Sequence, residues 1–180
     1  MADLKGLKMR CLGDGGKILA NMDVATVLVA GGEIYESMQR GVINAFEYSG
    51  PSVNWSMAFQ EVADYMYISP SRAPTDCFFV GVNKAEWDKL PADLQKIVEL
   101  AVRTELPKWY SQNVVLDAEY IQKFVDYGTE VSPLPKDIEE ELAEVAADYY
   151  DELAAGDAMF AKVLQSQREF KALCELQGIR

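Results

Sequence analysis

The residues best suited to chemistry in this chain are one arginine and a neighbouring acid and phenol. Arg10 interrupts the apolar segment Leu7 to Leu12, which has the composition of a β-strand. Glu47 and Tyr48 end the apolar segment GVINAFEY. A guanidinium held inside a fold presents a planar fork of donors that can bind a carboxylate through two hydrogen bonds. Since ligands of parallel sheets bind beyond the carboxyl ends of the strands, these residues indicate an anion site.

The same residues also have a purely structural interpretation. A buried arginine is unfavourable unless it has a charge partner, so Arg10 and Glu47 would then form an ion pair that only stabilises the fold. Spacing alone leaves both alternatives open. Mutation of Arg10 separates them, because loss of anion binding with the fold intact supports the site, whereas loss of folding supports the ion pair.

The composition excludes several classes of function. The 180 residues include 17 basic and 29 acidic ones, for a net charge of -12, which disfavours nucleic acid and anionic membranes as partners. The chain contains no histidine, so it cannot build a Ser-His-Asp relay or an HExxH zinc site. Cys11, Cys77 and Cys174 are too widely spaced to indicate a disulfide framework or a zinc site. We therefore do not expect an enzyme.

Two further motifs favour structural interpretations. The segment LGDGGK follows a predicted strand, but Ile18 stands where a phosphate loop needs Ser or Thr, so a tight turn is predicted. The acidic segment DIEEELAEVAADYYDE is predicted to lie on a helix with most of its carboxylates on the solvated face.

The first half of the chain alternates short strands and helices, which predicts a largely parallel sheet with helices on its faces. A helix opened by Gly31 and Gly32 is predicted to end at Gly41. The other predicted elements are strands at Leu7 to Leu12, Val24 to Val29, Val42 to Tyr48 and Cys77 to Val82, and helices at Lys17 to Met22 and at about Val53 to Met66.

The second half, from Lys84 onward, is predicted to be helical. A long helix has Pro91 at its first position and continues through a kink at Pro107 to Gly128. An extended piece, Glu130 to Leu134, precedes a helix that ends at Gly156. Its predicted inner face consists of Ile138, Leu142, Val145, Ala146, Tyr149 and Leu153. Asp157 is predicted to cap a last helix whose apolar residues include Phe160, Val163, Leu164, Phe170 and Leu173.

An ordered series of blocks resembles the C-terminal portion of a receptor family. The most specific blocks are GGEIYESMQRGVINAFEY and VNKAEWDKLP, and DLKGLKMR and GPSVNWSMAFQEVADY fit the same series. The chain is similar to the solute-binding receptors of tripartite ATP-independent periplasmic (TRAP) transporters, the DctP family, most nearly to the branch that binds α-keto acids. The resemblance implies an α/β fold, the second lobe of a type II periplasmic binding protein with long kinked C-terminal helices.

The resemblance also implies a function. Such receptors are periplasmic proteins that close over an organic acid, here a 2-oxo or hydroxy monocarboxylate, and deliver it to membrane permease subunits for sodium-driven uptake. Arg10 then matches the arginine that binds the substrate carboxylate, and Glu47 and Tyr48 match the acid and aromatic that line the cleft. In this branch the acid, matched by Glu47, helps to hold a sodium or calcium ion that bridges to the substrate.

Two positions depart from the pattern of the branch. Tyr48 stands where tryptophan is usual, and Ala73, in SPSRAPTD, stands where the branch has a further acidic ligand. Because a hard cation depends on oxygen ligands, loss of one carboxylate weakens the predicted metal site. Tyr48, Phe46 and Trp55 indicate a partly aromatic pocket around the ligand.

The resemblance also predicts the domain organisation. Residues 1–83 would form the ligand-binding lobe and residues 84–180 a helical segment that packs across lobes, with the N-terminal lobe and the signal peptide absent. We then expect weak ligand binding or none, and a homodimer or a higher oligomer formed through exposed apolar helix faces. The alternative is an acidic α/β interaction or structural domain without a small-molecule ligand.

Overall fold

A computed structural model describes residues 4–70, 72 and 79–178 of the chain. The chain divides into two compact units, each built from separate stretches of sequence. The first unit comprises the described residues of Met1–Val29, Ile43–Phe46 and Leu134–Arg180, and the second those of Ala30–Val42 and Glu47–Pro133. The predicted boundary at residues 83 and 84 concerns the lobes of a receptor and stays a prediction.

The first unit contains a three-stranded parallel sheet. Its strands are β1 (Lys8–Arg10), β2 (Ala25–Val27) and β3 (Ala45–Phe46), in the order β2-β1-β3. In register, Arg10 lies opposite Val27 on one side and Phe46 on the other. The predicted parallel arrangement is confirmed, although each strand is shorter than its apolar segment.

The helix after β1 begins earlier than predicted. Helix α1 is Gly13–Asn21, so the glycine-rich segment forms its first turn rather than a separate turn before it. Gly13 has φ +55°, a left-handed conformation that glycine adopts without steric cost. The chain therefore turns from the extended Leu12 directly into the helix.

Two long helices complete the first unit, α6 (Lys136–Gly156) and α7 (Ala158–Leu176). The predicted inner face of α6 is confirmed, since Leu142 and Tyr149 are buried against α1 and the other four predicted residues pack around them. The Tyr149 hydroxyl donates to Asp14 Oδ1 at 3.0 Å. Asp157 caps α7 as predicted, because its side chain accepts from the backbone N–H of Met159 and Phe160.

Among the described residues, the second unit contains four α-helices, two 3₁₀ turns and one pair of parallel strands. These are a 3₁₀ turn at Gly31–Glu33, α2 (Ile34–Gln39), α3 (Pro51–Ser56), a 3₁₀ turn at Phe59–Glu61, α4 (Lys84–Trp87), α5 (Ala92–Tyr127), and the paired strands β4 (Tyr65–Ile68) and β5 (Glu130–Pro133). The predicted stop of α2 at Gly41 is confirmed, since Gly41 has φ +68°.

The predicted helix from Val53 to Met66 is wrong. Helix α3 ends at Ser56, and Ala58 takes a left-handed conformation with φ +59°, which breaks the helix. The segment Tyr65–Ile68 forms β4, because its aromatic and β-branched residues pair with β5. Of the predicted strand at Cys77 to Val82, Cys77 and Phe78 lie outside the described residues, and no strand is assigned to residues 79–82.

The long helix α5 continues through Pro107, as predicted, and ends at Gly128, whose φ is +112°. Pro91 lies at its N-cap rather than at its first position. Trp55 of α3 contacts Tyr120, Phe124 and Tyr127 of α5 in edge-on geometry, with the Phe124 ring centroid at 5.3 Å. Helix α3 is therefore held on α5 by aromatic packing.

Helix α5 also binds the start of α3 through Asp117. The Oδ1 atom of Asp117 accepts from the Ser52 N–H at 2.9 Å and from the Ser52 hydroxyl at 2.5 Å. This contact satisfies a backbone N–H in the first turn of α3. Across the described residues, no helix combines the length and the apolar character that a membrane span requires.

Candidate ligand-binding site

Arg10 is the last residue of the central strand of the first unit. Because the three strands are parallel and in register, their carboxyl ends form one edge, at which Arg10, Val27 and Phe46 lie side by side. Ligands of parallel sheets bind beyond this edge. Arg10 is only 2% exposed and is one of the largest fully buried side chains of the described residues.

A hydrogen bond to the backbone orients the guanidinium of Arg10. Its Nε donates to the backbone carbonyl of Val29 at 2.9 Å, just beyond the end of β2. Since the guanidinium is planar, holding Nε gives the Nη edge a defined orientation. A preorganised fork of this kind is suited to a carboxylate, as the sequence predicted.

Glu47 and Tyr48 follow the last residue of β3 directly in the chain and belong to the second unit. Within that unit, the Glu47 carboxylate pairs with Arg72, with 2.7 Å between Oε2 and Nη2. Both side chains are largely buried, 21% exposed for Glu47 and 24% for Arg72. The alternative Arg10–Glu47 ion pair joins residues of different units and stays a prediction.

Sequence reasoning missed Arg72. The only sequence signal was a lone arginine in the proline-marked loop SPSRAPTD, and nothing in its spacing pointed to Glu47. Its backbone N–H donates to Ser69 Oγ at 3.0 Å. Its side-chain Nε is buried and has no hydrogen-bond partner among the described residues. A buried donor without a partner is uncommon and costs free energy.

Tyr48 lies between an aromatic ring and a glycine. Its ring meets Phe59 edge-on, with centroids 5.5 Å apart and an interplanar angle of 84°. On the other side it lies so close to Gly31 that an added Cβ there would stand 2.8 Å from Tyr48 Cε2. Gly31 therefore leaves room for the phenol, a role beyond the helix start that was predicted for it.

Trp55 does not belong with Tyr48. It was expected to contribute to an aromatic pocket, but its contacts with α5 make it part of the packing between α3 and α5. Phe46, the other aromatic residue of the prediction, is half-buried at the end of β3.

The described residues around Glu47 hold a guanidinium rather than a set of cation ligands. In the part of the chain that the structure describes, no three Asp, Glu, Cys or His side chains gather in a way that could hold a metal ion. Ala73 lies outside the described residues. A hard cation requires several oxygen ligands, so the described residues do not fit such a site, and the role of Glu47 as a metal ligand stays a prediction.

The chain matches a known protein family over most of its length. The DctP family, described as bacterial extracellular solute-binding protein family 7, matches residues 1–157. The chain belongs to the DctP family. The predicted family is thereby confirmed, and the match to binding proteins agrees with the expectation that the chain is not an enzyme.

Several similar proteins are named for a ligand or were solved with one. A monocarboxylate 2-oxoacid-binding periplasmic protein of Nostoc sp. is 30% identical over 95% of this chain and 47% of its own length. A TRAP periplasmic solute-binding protein of Pseudoalteromonas atlantica T6c, solved with sodium and pyruvate, is 28% identical with a TM-score of 0.77 and covers 97% of this chain and 55% of its own. One from Colwellia psychrerythraea, solved with calcium and pyruvate, is 29% identical with a TM-score of 0.79 and the same coverages.

These likenesses confirm the predicted α/β fold of the type II periplasmic binding protein class. The chain spans about half the length of these relatives, 47% of the Nostoc protein and 55% of the two solved chains.

Proposed function

We propose that this chain is a solute-binding receptor of a TRAP transporter that binds the carboxylate of a small organic acid, a 2-oxo or hydroxy monocarboxylate. The observation that carries the proposal is the place of Arg10: a buried, oriented guanidinium at the carboxyl edge of a parallel sheet. A bound carboxylate would be an anionic partner for this buried guanidinium.

The relatives support the chemical class of the ligand. The Nostoc relative is named for 2-oxoacid binding, and the two solved relatives hold pyruvate. We assign carboxylate binding to Arg10 and a lining role to Glu47 and Tyr48, which follow β3 in the chain. The phenol of Tyr48 would offer a hydroxyl and a ring face where the branch usually has tryptophan.

Thermal unfolding with added carboxylates tests the proposal. A ligand that binds only the folded state stabilises it by about 2.7 kcal/mol when its concentration is about 100 times Kd, so pyruvate or a longer 2-oxo acid should raise Tm. Arg10→Lys keeps the charge and removes the fork, so it should abolish the rise in Tm. Lys8→Gln is the matched control, since Lys8 is an exposed cation on the same strand and should leave the rise unchanged.

The results separate the receptor from the structural domain. Loss of the ligand effect in a folded Arg10→Lys protein, judged by circular dichroism, supports the receptor. Loss of folding on that substitution supports a structural ion pair. The carboxylate proposal is refuted if no carboxylate raises Tm of the unmodified chain at millimolar concentration and none does so when the chain is fused to the part of the Nostoc relative that it does not cover.

The proposal extends to location and partners. We propose a periplasmic receptor that delivers its acid to TRAP permease subunits, in line with the periplasmic names of the relatives. We also propose a homodimer. Exposed apolar residues on α7 support it, among them Met159, Phe170 and Leu176, as does a relative from Bordetella bronchiseptica RB50 described as a dimer. A monomer in light scattering at high protein concentration would contradict the dimer.

A further inference from the structure

We propose that the guanidinium of Arg72 takes the place of a bridging metal ion, so that this receptor binds its carboxylate without sodium or calcium. The inference rests on the proposed function. It departs from the two pyruvate-bound relatives, one of which was solved with sodium and the other with calcium.

The first step concerns charge. The Glu47 carboxylate lies 2.7 Å from Arg72 Nη2, and both side chains are largely buried. At that distance and degree of burial the two charges largely neutralise each other, which lowers the attraction of Glu47 for a further cation. Unlike a metal ion, the guanidinium is covalently held and always present, because arginine stays protonated in proteins.

The second step concerns the unsatisfied donor. Arg72 Nε is buried and has no hydrogen-bond partner among the described residues, although the same guanidinium donates to Glu47. A buried donor without a hydrogen-bond partner carries the full cost of desolvation. An acceptor oxygen of a bound ligand would remove that cost. This atom is independent of the ion pair and itself indicates a ligand.

The third step concerns position. The Arg72 backbone N–H donates to Ser69 Oγ at 3.0 Å, which anchors the residue from which the side chain extends. Glu47, which pairs with Arg72, is followed directly in sequence by Tyr48. Tyr48 packs between Phe59 and Gly31. Arg72 therefore brings a positive charge and an available N–H to Glu47 and Tyr48, the residues assigned to line the site.

Calorimetry with pyruvate tests the inference. The buffer contains EDTA and tetramethylammonium chloride as the only salt, and the titration is repeated with sodium or calcium chloride in place of EDTA. The unmodified chain should bind pyruvate equally in all three buffers. Arg72→Gln should weaken binding about tenfold or more without added metal, the usual effect of removing a charge-assisted hydrogen bond, and calcium should restore part of the affinity.

Arg40→Gln is the matched control. Arg40 pairs with Glu36 in the same unit but is 72% exposed, so its loss should leave pyruvate affinity unchanged. An Arg72→Lys variant serves if Arg72→Gln does not fold, because it keeps the charge and loses Nε. It should bind more weakly than the unmodified chain in the metal-free buffer. A purely structural Arg72 would leave pyruvate binding by Arg72→Gln independent of calcium, or leave Arg72→Lys as tight a binder as the unmodified chain in the metal-free buffer. Either result overturns the inference.

A titration with calcium chloride alone separates this inference from the proposed function. The unmodified chain should bind no calcium, and Arg72→Gln should gain binding that a further Glu47→Gln change removes. Calcium binding by the unmodified chain that Glu47→Gln abolishes overturns the inference, as does pyruvate binding that EDTA prevents. If pyruvate binds in no buffer, this chain gives no support to the proposed function, and the calcium titrations alone decide the role of Arg72.

Discussion

Replacing Gly31 by alanine tests whether the phenol of Tyr48 has a fixed place. An added Cβ at Gly31 would stand 2.8 Å from Cε2 and 3.0 Å from the hydroxyl oxygen of Tyr48, closer than packed atoms tolerate. The ring must move, and its edge-on contact with Phe59 is then lost or weakened. Gly32→Ala is the matched control, since an added Cβ there meets nothing within 4 Å.

The expected effect is the difference in stability between Gly31→Ala and Gly32→Ala. Each Gly→Ala change removes unfolded-state entropy, worth about 0.4–1 kcal/mol in favour of folding, and this effect largely cancels in the comparison. What remains is the aromatic contact, about 0.5–1.5 kcal/mol. For a chain of this size, about 2–4 °C in Tm corresponds to 1 kcal/mol, so Gly31→Ala should melt roughly 1–6 °C below Gly32→Ala.

The assay is thermal unfolding followed by circular dichroism, with and without pyruvate. We expect Gly31→Ala to have the lower Tm and a smaller rise on adding ligand, because Tyr48 has moved. Equal melting temperatures would show that the ring moves without cost and that its contact with Phe59 contributes nothing. Equal rises with pyruvate would exclude Tyr48 from the ligand site.

Two further predictions concern packing and charge. Trp55→Ala should destabilise the fold by about 3 kcal/mol in urea unfolding, because the side chain loses its contacts with α5. Tyr110→Ala is the control, since Tyr110 is an exposed residue of α5, and it should destabilise the fold far less. Equal losses of stability would contradict this prediction. The Arg168 guanidinium, 2.6 Å from Asp151 Oδ1, lowers the pKa of Asp151, so the pair stabilises the fold above the ordinary carboxyl pKa and the effect is lost on acidification. Asp151→Asn should therefore lower Tm at pH 6 but not at pH 2, and an equal decrease at both would refute this.

Local sequence patterns predicted the helices of the second half well. The spacing of Ile138, Leu142 and Tyr149 identified the buried face of α6, because a long helix with one apolar stripe has a single way to pack it. Asp157 identified the start of α7 by its capping chemistry.

The strand β4 could not be predicted in this way. Its residues continue the apolar spacing of the preceding helix, and only the left-handed Ala58 and the pairing with the distant β5 separate the two. Both are consequences of tertiary structure, which overrides local propensity.

The candidate site also contains one residue that the sequence predicted and one that it did not. Arg10 was predictable, because a charge within a short apolar strand is conspicuous. Arg72 was not, because it contacts Glu47 across 25 positions of sequence and lies in no assigned helix or strand. Loop residues are positioned by contacts that no periodicity describes.

The proline inside α5 divides that helix into two stretches that should exchange their amide hydrogens differently. Pro107 has no N–H, so the carbonyl of Arg103 lacks its usual partner and the ladder of backbone hydrogen bonds has a gap. The stretch after the gap is held by Trp55 at Phe124 and by Ser52 at Asp117. Local opening can begin at the gap and run toward Ala92 without breaking these contacts, so amide protection in α5 should be highest near Phe124 and should decline toward the start of the helix.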